Sequence, residues 1–95
     1  MMATIPAAVA RLCGDELCIR VPQLRDAVGQ RQRSVARDHA HALRGMAANF
    51  GLSGLALALA TLESMAMDPS APLDPAFAAV EREVMPALTA LGYAS

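Results

Sequence analysis

The sequence predicts an all-α fold, an antiparallel four-helix bundle with a short extra helix possible at its N-terminal end. Three observations carry this. The apolar fraction is 55% but only 3% of residues are aromatic, and much of the apolar share is alanine and leucine, which favour helices over strands. In the second half of the chain apolar residues recur at steps of three and four, the spacing of one helix face. The breaks between these stretches carry glycine or proline. With 95 residues the chain suits one domain, 1–95, whose core supports roughly 5–14 kcal/mol by per-residue scaling.

The elements follow in order. A short helix is expected over residues 5–12 and another over about 15–29, where Pro22 should kink or break the run. Gly29 and the following "QRQR" read as a turn. Residues 33–50 and 53–67 should be two helices joined by a very short connection, and so antiparallel neighbours. Gly51 suits the C-cap of the first, because glycine reaches the left-handed conformation without steric cost. Leu52, Leu55, Leu59, Leu62 and Ala66 form the apolar stripe of the second. Residues 67–75, "MDPSAPLDP", hold three prolines and make the one clear linker. Asp74-Pro75 reads as an N-cap followed by proline at the first helical position. Phe77, Val80, Val84, Leu88 and Leu91 then mark a last helix to about Gly92, with Pro86 expected to kink it.

Composition excludes several function classes. The formal net charge is −1, so no broad basic surface is available for nucleic acid. Phe50, Phe77 and Tyr93 are the only aromatic residues, too few for a base-stacking platform. No apolar run reaches the roughly 18 residues of a membrane span, and the first residues lack the charged segment and apolar core of a signal peptide. A cytoplasmic location without membrane insertion is expected. Cys13 and Cys18 lack the second pair of a structural zinc site. On a helix, residues five apart do not face each other, so two reduced thiols are expected.

Function turns on "DHAHALRGMAANFG", residues 38–51, which holds both histidines. At about 100° per residue, with His41 at zero, Arg37, Arg44, Gly45 and Ala48 fall within about 60° of it. Asp38 lies at about 60° and Asn49 at about 80°. This face is polar or small and should be wet. Val35, His39, Leu43, Met46 and Phe50 cluster between about 120° and 200° and are expected to form the core stripe. His39 is therefore read as a half-buried histidine bonded within the bundle. Ligands at i and i+2 point apart on a helix, so the pair cannot clamp one metal ion, and no metal site is expected.

His41 is the candidate for chemistry. Gly45 beside it is a poor helix former, costing roughly 1 kcal/mol relative to alanine at mid-helix, and clearing space around an imidazole is a reason for it. A neutral imidazole is a good nucleophile near pH 7 and can accept a phosphoryl group. The product carries roughly two negative charges, which Arg44 and Arg37 are placed to offset. The sequence has no glycine-rich phosphate loop and no acidic cluster for magnesium. It would relay a phosphoryl group rather than take one from ATP.

Residues 40–51, "AHALRGMAANFG", resemble the histidine-containing phosphotransfer (HPt) domains of multistep two-component signalling. Their usual pattern is A-H-x-L-K-G with a further glycine six residues on. His41 falls on the phosphoacceptor, Leu43 on the apolar position, Arg44 on the basic position, Gly45 on the small position and Gly51 on the turn glycine. The leucine-rich helix closing with Leu62-Glu63 resembles the family's third main helix. The match departs from the pattern in using arginine where lysine is commoner. The helix before the site also reads as short, which leaves the N-terminal half trimmed, kinked or completed by a partner. "IPAAVARLCGDEL", residues 5–17, resembles the opening of modules that end hybrid sensor kinases.

The resemblance implies a four-helix bundle with its histidine at mid-helix on the surface. It implies transfer between that histidine and the aspartate of a response-regulator receiver domain. Any magnesium would belong to the receiver, and the chain needs no cofactor of its own. Arg37, Ala48, Asn49 and the turn at Gly51 are the expected docking rim, and a monomer is expected. One alternative is the dimerisation and phosphoacceptor region of a sensor kinase. That class usually has an acidic residue directly after its histidine and a proline soon after, whereas Ala42 follows here and the next proline is Pro69. Gel filtration discriminates, since that region is an obligate dimer. The other alternative is a helical docking module that binds a partner without phosphotransfer, for which acid-labile phosphate on His41 is the discriminating observation.

Overall fold

The computed structural model describes residues 6–93. Four helices follow one another: α1 (Ala7–Gly29), α2 (Arg33–Asn49), α3 (Ser53–Ala66) and α4 (Asp74–Ala90). Each packs against its neighbours in chain order, and α4 closes back on α1. The four-helix bundle expected from the apolar spacing is the observed architecture.

The N-terminal half differs from expectation. The short helix expected over 5–12 and the helix over 15–29 are one 23-residue helix from Ala7; residue 5 lies outside the described residues. Pro22 sits inside α1 without ending it. Its missing N–H leaves the Cys18 carbonyl without an intrahelical donor, a local cost that the packing of Leu17 and Leu24 on either side outweighs. The helix before the site is therefore neither trimmed nor interrupted. Pro86 lies within α4 in the same way.

Helix ends are set by short-range geometry. Gly51 has a φ of 70°. The Leu52 N–H donates to the Ala47 carbonyl at 2.9 Å and the Gly51 N–H to Ala48 at 3.1 Å, the paired bonds that close a helix around a left-handed residue. The α1–α2 turn uses the same bonding around Arg31, φ 57°, and not around Gly29. Asp74 is the first residue of α4; Leu73 holds the cap position with no side-chain cap bond, one residue from the expected N-cap. The far end of α3 is tied down by Arg33, whose guanidinium donates to the carbonyls of Met65 (3.2 Å), Asp68 (2.9 Å) and Ala71.

The core is built of leucine against alanine. Leu55, Leu59, Leu62 and Ala66 of α3 are buried as the spacing predicts, as is Leu52 in the preceding turn. On α2 the buried residues are Ala36, Ala40, Leu43 and Ala47, not the expected stripe of Val35, His39, Leu43, Met46 and Phe50. Val35 is exposed, and His39, Met46 and Phe50 are half-buried. The buried face is turned by roughly 70° from the one that large apolar residues alone define. Alanine lets α2 approach its neighbours closely, and their leucines (Leu17, Leu24, Leu55 and Leu59) fill the space. Cys13 is buried and Cys18 exposed, and both are free thiols. Burial raises the Cys13 thiol above its ordinary pKa.

Candidate functional site

The rotation of α2 sends its two histidines to opposite flanks. His39 turns toward α1, where its Nδ1 lies 3.5 Å from Nη1 of Arg20. That distance is at the outer limit of a hydrogen bond. Arg20 is itself held by Glu16, Nε to Oε2 at 2.7 Å. His41 turns toward α3 and stays open, with 66% of its side chain exposed. The orientation inferred from the helical wheel is correct for His41, and His39 is half-buried as expected.

Two side chains meet at His41. Its Nδ1 lies 2.7 Å from Oε2 of Glu63, which projects from α3. Oε1 of the same carboxylate accepts from Arg44 Nε at 2.7 Å. Nη2 of Arg44 lies 3.2 Å from His41 Nδ1. Only one of the two partners can bond Nδ1 in a neutral ring. Arginine can only donate and a carboxylate can only accept, so the proton on Nδ1 decides between them. The shorter contact is to the carboxylate, and a bare Nδ1 would set two lone pairs against each other at 2.7 Å. The arrangement therefore fits the tautomer with its proton on Nδ1. Arg44 then serves as a nearby cation, and Nε2 keeps its lone pair.

Glu63 is well placed for this. Its side chain is only 19% exposed. That burial alone would raise its pKa, but hydrogen bonds from Arg44 and His41 outweigh it and hold the carboxyl below its usual range. It is ionised at neutral pH and fixed by two donors. A carboxylate that fixes the tautomer and direction of an imidazole leaves the far nitrogen as a competent nucleophile.

The other residues picked out by the sequence fall in different places. Gly45 is exposed, one turn from His41, and a Cβ there would meet nothing within 4 Å. Ala48 and Asn49 are exposed on the next turn. Gly51 is exposed at the turn that ends α2. Arg37 does not join the cluster; its guanidinium reaches Asp38 at 3.3 Å, because an adjacent carboxylate competes for it. Glu63 is the member of the cluster that the helical wheel of α2 could not supply, since it comes from another helix. Its signal was present: it is the only charged residue between Ser53 and Met67. Among the described residues no group of histidine, cysteine and carboxylate side chains could hold a metal ion, and no helix is long and apolar enough to cross a membrane.

The family model for the Hpt domain matches residues 9–91. The chain is an Hpt domain. The match spans all but the first two residues of α1 and the whole of the other three helices. Neither curated proteins nor solved structures give a match. Hpt domains carry phosphoryl groups within phosphorelays and work with receiver domains and kinases.

Proposed function

We propose that His41 is the phosphoacceptor of this Hpt domain. Nε2 attacks the aspartyl phosphate of a receiver domain; the Nε2–P bond forms, the aspartate O–P bond breaks, and the carboxylate leaves. The reverse step returns the group to a receiver aspartate. The observation that carries this reading is the 2.7 Å bond to Glu63 on a ring that is 66% exposed, which pairs a fixed tautomer with an open nucleophile. Arg44 stabilises the transferred phosphoryl group, and a charge-assisted bond of this kind contributes about 1.5–3 kcal/mol. The domain works as a cytoplasmic monomer without a cofactor of its own, and the receiver holds the magnesium.

The receiver approaches over the exposed face of α2. Gly45, Ala48 and Asn49 form a low surface beside the imidazole, with Gly51 at its end and Arg37 at its edge. Small side chains there allow an aspartate to come within bonding distance of Nε2.

The test is direct. The protein is incubated with phosphoramidate, a small-molecule phosphoryl donor, and with phosphorylated receiver domains. Acid-labile, base-stable phosphate on the wild type and none on His41→Gln is the expected result. Label that persists in His41→Gln overturns the assignment. Absence of label from every donor favours a docking module that does not carry phosphate.

A further inference from the structure

We infer that Glu63 governs how readily phosphorylated His41 gives its phosphoryl group away, by keeping a proton on Nδ1 after Nε2 has been modified. The inference rests on His41 being the phosphoacceptor. It concerns the loaded state and its lifetime.

Once Nε2 is bonded to phosphorus, Nδ1 is the only titratable position left on the ring. With a proton on Nδ1, the N–P bond breaks, its electron pair returns to Nε2, and the ring leaves as neutral imidazole. With Nδ1 bare, the ring must leave as imidazolate, a much stronger base and a poorer leaving group. Transfer therefore runs through the protonated ring. The step balances without an outside acid or base. A receiver aspartate oxygen bonds to phosphorus, the Nε2–P bond breaks, and the proton stays on Nδ1. The ring ends as the tautomer that the bond to Glu63 holds before loading.

The groups facing the ring set the balance. From α2, Arg44 places Nη2 at 3.2 Å from Nδ1, and Arg37 stands one turn back, engaged with Asp38. These cations suit a phosphoryl dianion but oppose a proton on the ring. From α3 comes Glu63, the one charged residue of that helix. Among the described residues it is the only carboxylate in contact with the imidazole. Neither α1 nor α4 brings a charged group into contact with it among those residues. Glu63 also engages Arg44 through its other oxygen, drawing off the cation that would compete for Nδ1. Two roles of one carboxylate thus act in the same direction.

The experiment loads the protein with phosphoramidate and follows loss of phosphate from His41 against pH. In the wild type the midpoint of the rate profile is expected about one pH unit above that of Glu63→Gln, the difference between a charged and a neutral acceptor. At a pH above both midpoints, phosphorylated Glu63→Gln should then persist about tenfold longer. Glu63→Asp, which retains the charge, should recover part of the shift. A second measurement needs no variant. Long-range nitrogen–proton NMR of the phosphorylated wild type should show Nδ1 protonated to higher pH than in the same phosphorylated chain unfolded in urea. Superimposable rate profiles, or equal Nδ1 midpoints folded and unfolded, overturn the role of Glu63 and leave His41 as the acceptor. Failure to label His41 at all overturns the reading on which the inference stands.

Discussion

Gly45 separates the demands of folding from those of function at the scale of one residue. It lies in the middle of α2, where glycine costs about 1 kcal/mol relative to alanine, and a Cβ there would touch nothing. The fold gives no reason for it. Gly45→Ala should raise stability by about 1 kcal/mol in urea denaturation. Gly45→Gln should fold as well as the wild type yet slow transfer from a phosphorylated receiver at least tenfold, because its side chain occupies the approach to Nε2. Equal transfer rates in a folded Gly45→Gln protein would remove the steric role. His41 and Gly45 were legible because both lie on one helix, where angular position follows from count alone. Glu63 was not, because its distance from His41 depends on how α3 packs on α2. Gly51 could be read as a left-handed cap from its residue type, whereas Arg31, with the same backbone sign, could not, since arginine rarely adopts it.

Helices were legible where large apolar residues define the buried face, and misread where alanine does. Leu55, Leu59 and Leu62 set the face of α3 directly. On α2 large apolar residues point to Val35 and Phe50, but Ala36, Ala40 and Ala47 are the buried ones, because alanine permits close helix approach. Pro22 misled in the opposite sense: a lost hydrogen bond is a local penalty, and the leucines of α1 reach the core on both sides of it. The joint between α2 and the linker depends on a contact that spacing does not reveal. Arg33 opens α2 yet donates to the Met65, Asp68 and Ala71 carbonyls at the other end of the hairpin. Terminal carbonyls of a helix need such donors, and a planar guanidinium can serve several at once. Arg33→Met should cost about 1.5–3 kcal/mol, measured by chemical denaturation. Arg33→Lys should recover little, since one ammonium on a flexible stem cannot reproduce the fork. Full recovery by lysine would show that charge alone matters there. Phosphoryl transfer at the proposed acceptor His41, about two turns along α2 from Arg33 and sharing no hydrogen-bond partner with it, should be unchanged in either variant.

At the scale of the molecule, the seam that closes the bundle is the one between α1 and α4, and a single tyrosine reports on it. Gly92, φ 72°, ends the last helix and turns Tyr93 back over Gly14, so closely that a Cβ on Gly14 would overlap the ring. The Tyr93 hydroxyl donates to Asp15 Oδ1 at 2.6 Å. That bond to a carboxylate, with smaller help from burial, pushes the Tyr93 pKa up to about 12. An unfolded tyrosine titrates near pH 10, so the folded state holds this proton more tightly. The contribution to stability is complete below about pH 10 and is lost as pH rises toward 12. The chain has one tyrosine and no tryptophan, so ultraviolet absorbance of the tyrosinate reads this group alone. The wild type should titrate with a midpoint near 12. Gly14→Ala forces the ring off α1 and separates the hydroxyl from Asp15, which should bring the midpoint back toward about 10. Asp15→Asn should do the same while leaving the ring seated, because it removes the charge and keeps the shape. A midpoint unchanged by both substitutions would mean that Tyr93 does not close this seam. A shift in Asp15→Asn alone would mean that α1 and α4 can part enough to admit a methyl group, and that the bundle is held shut by its leucine core.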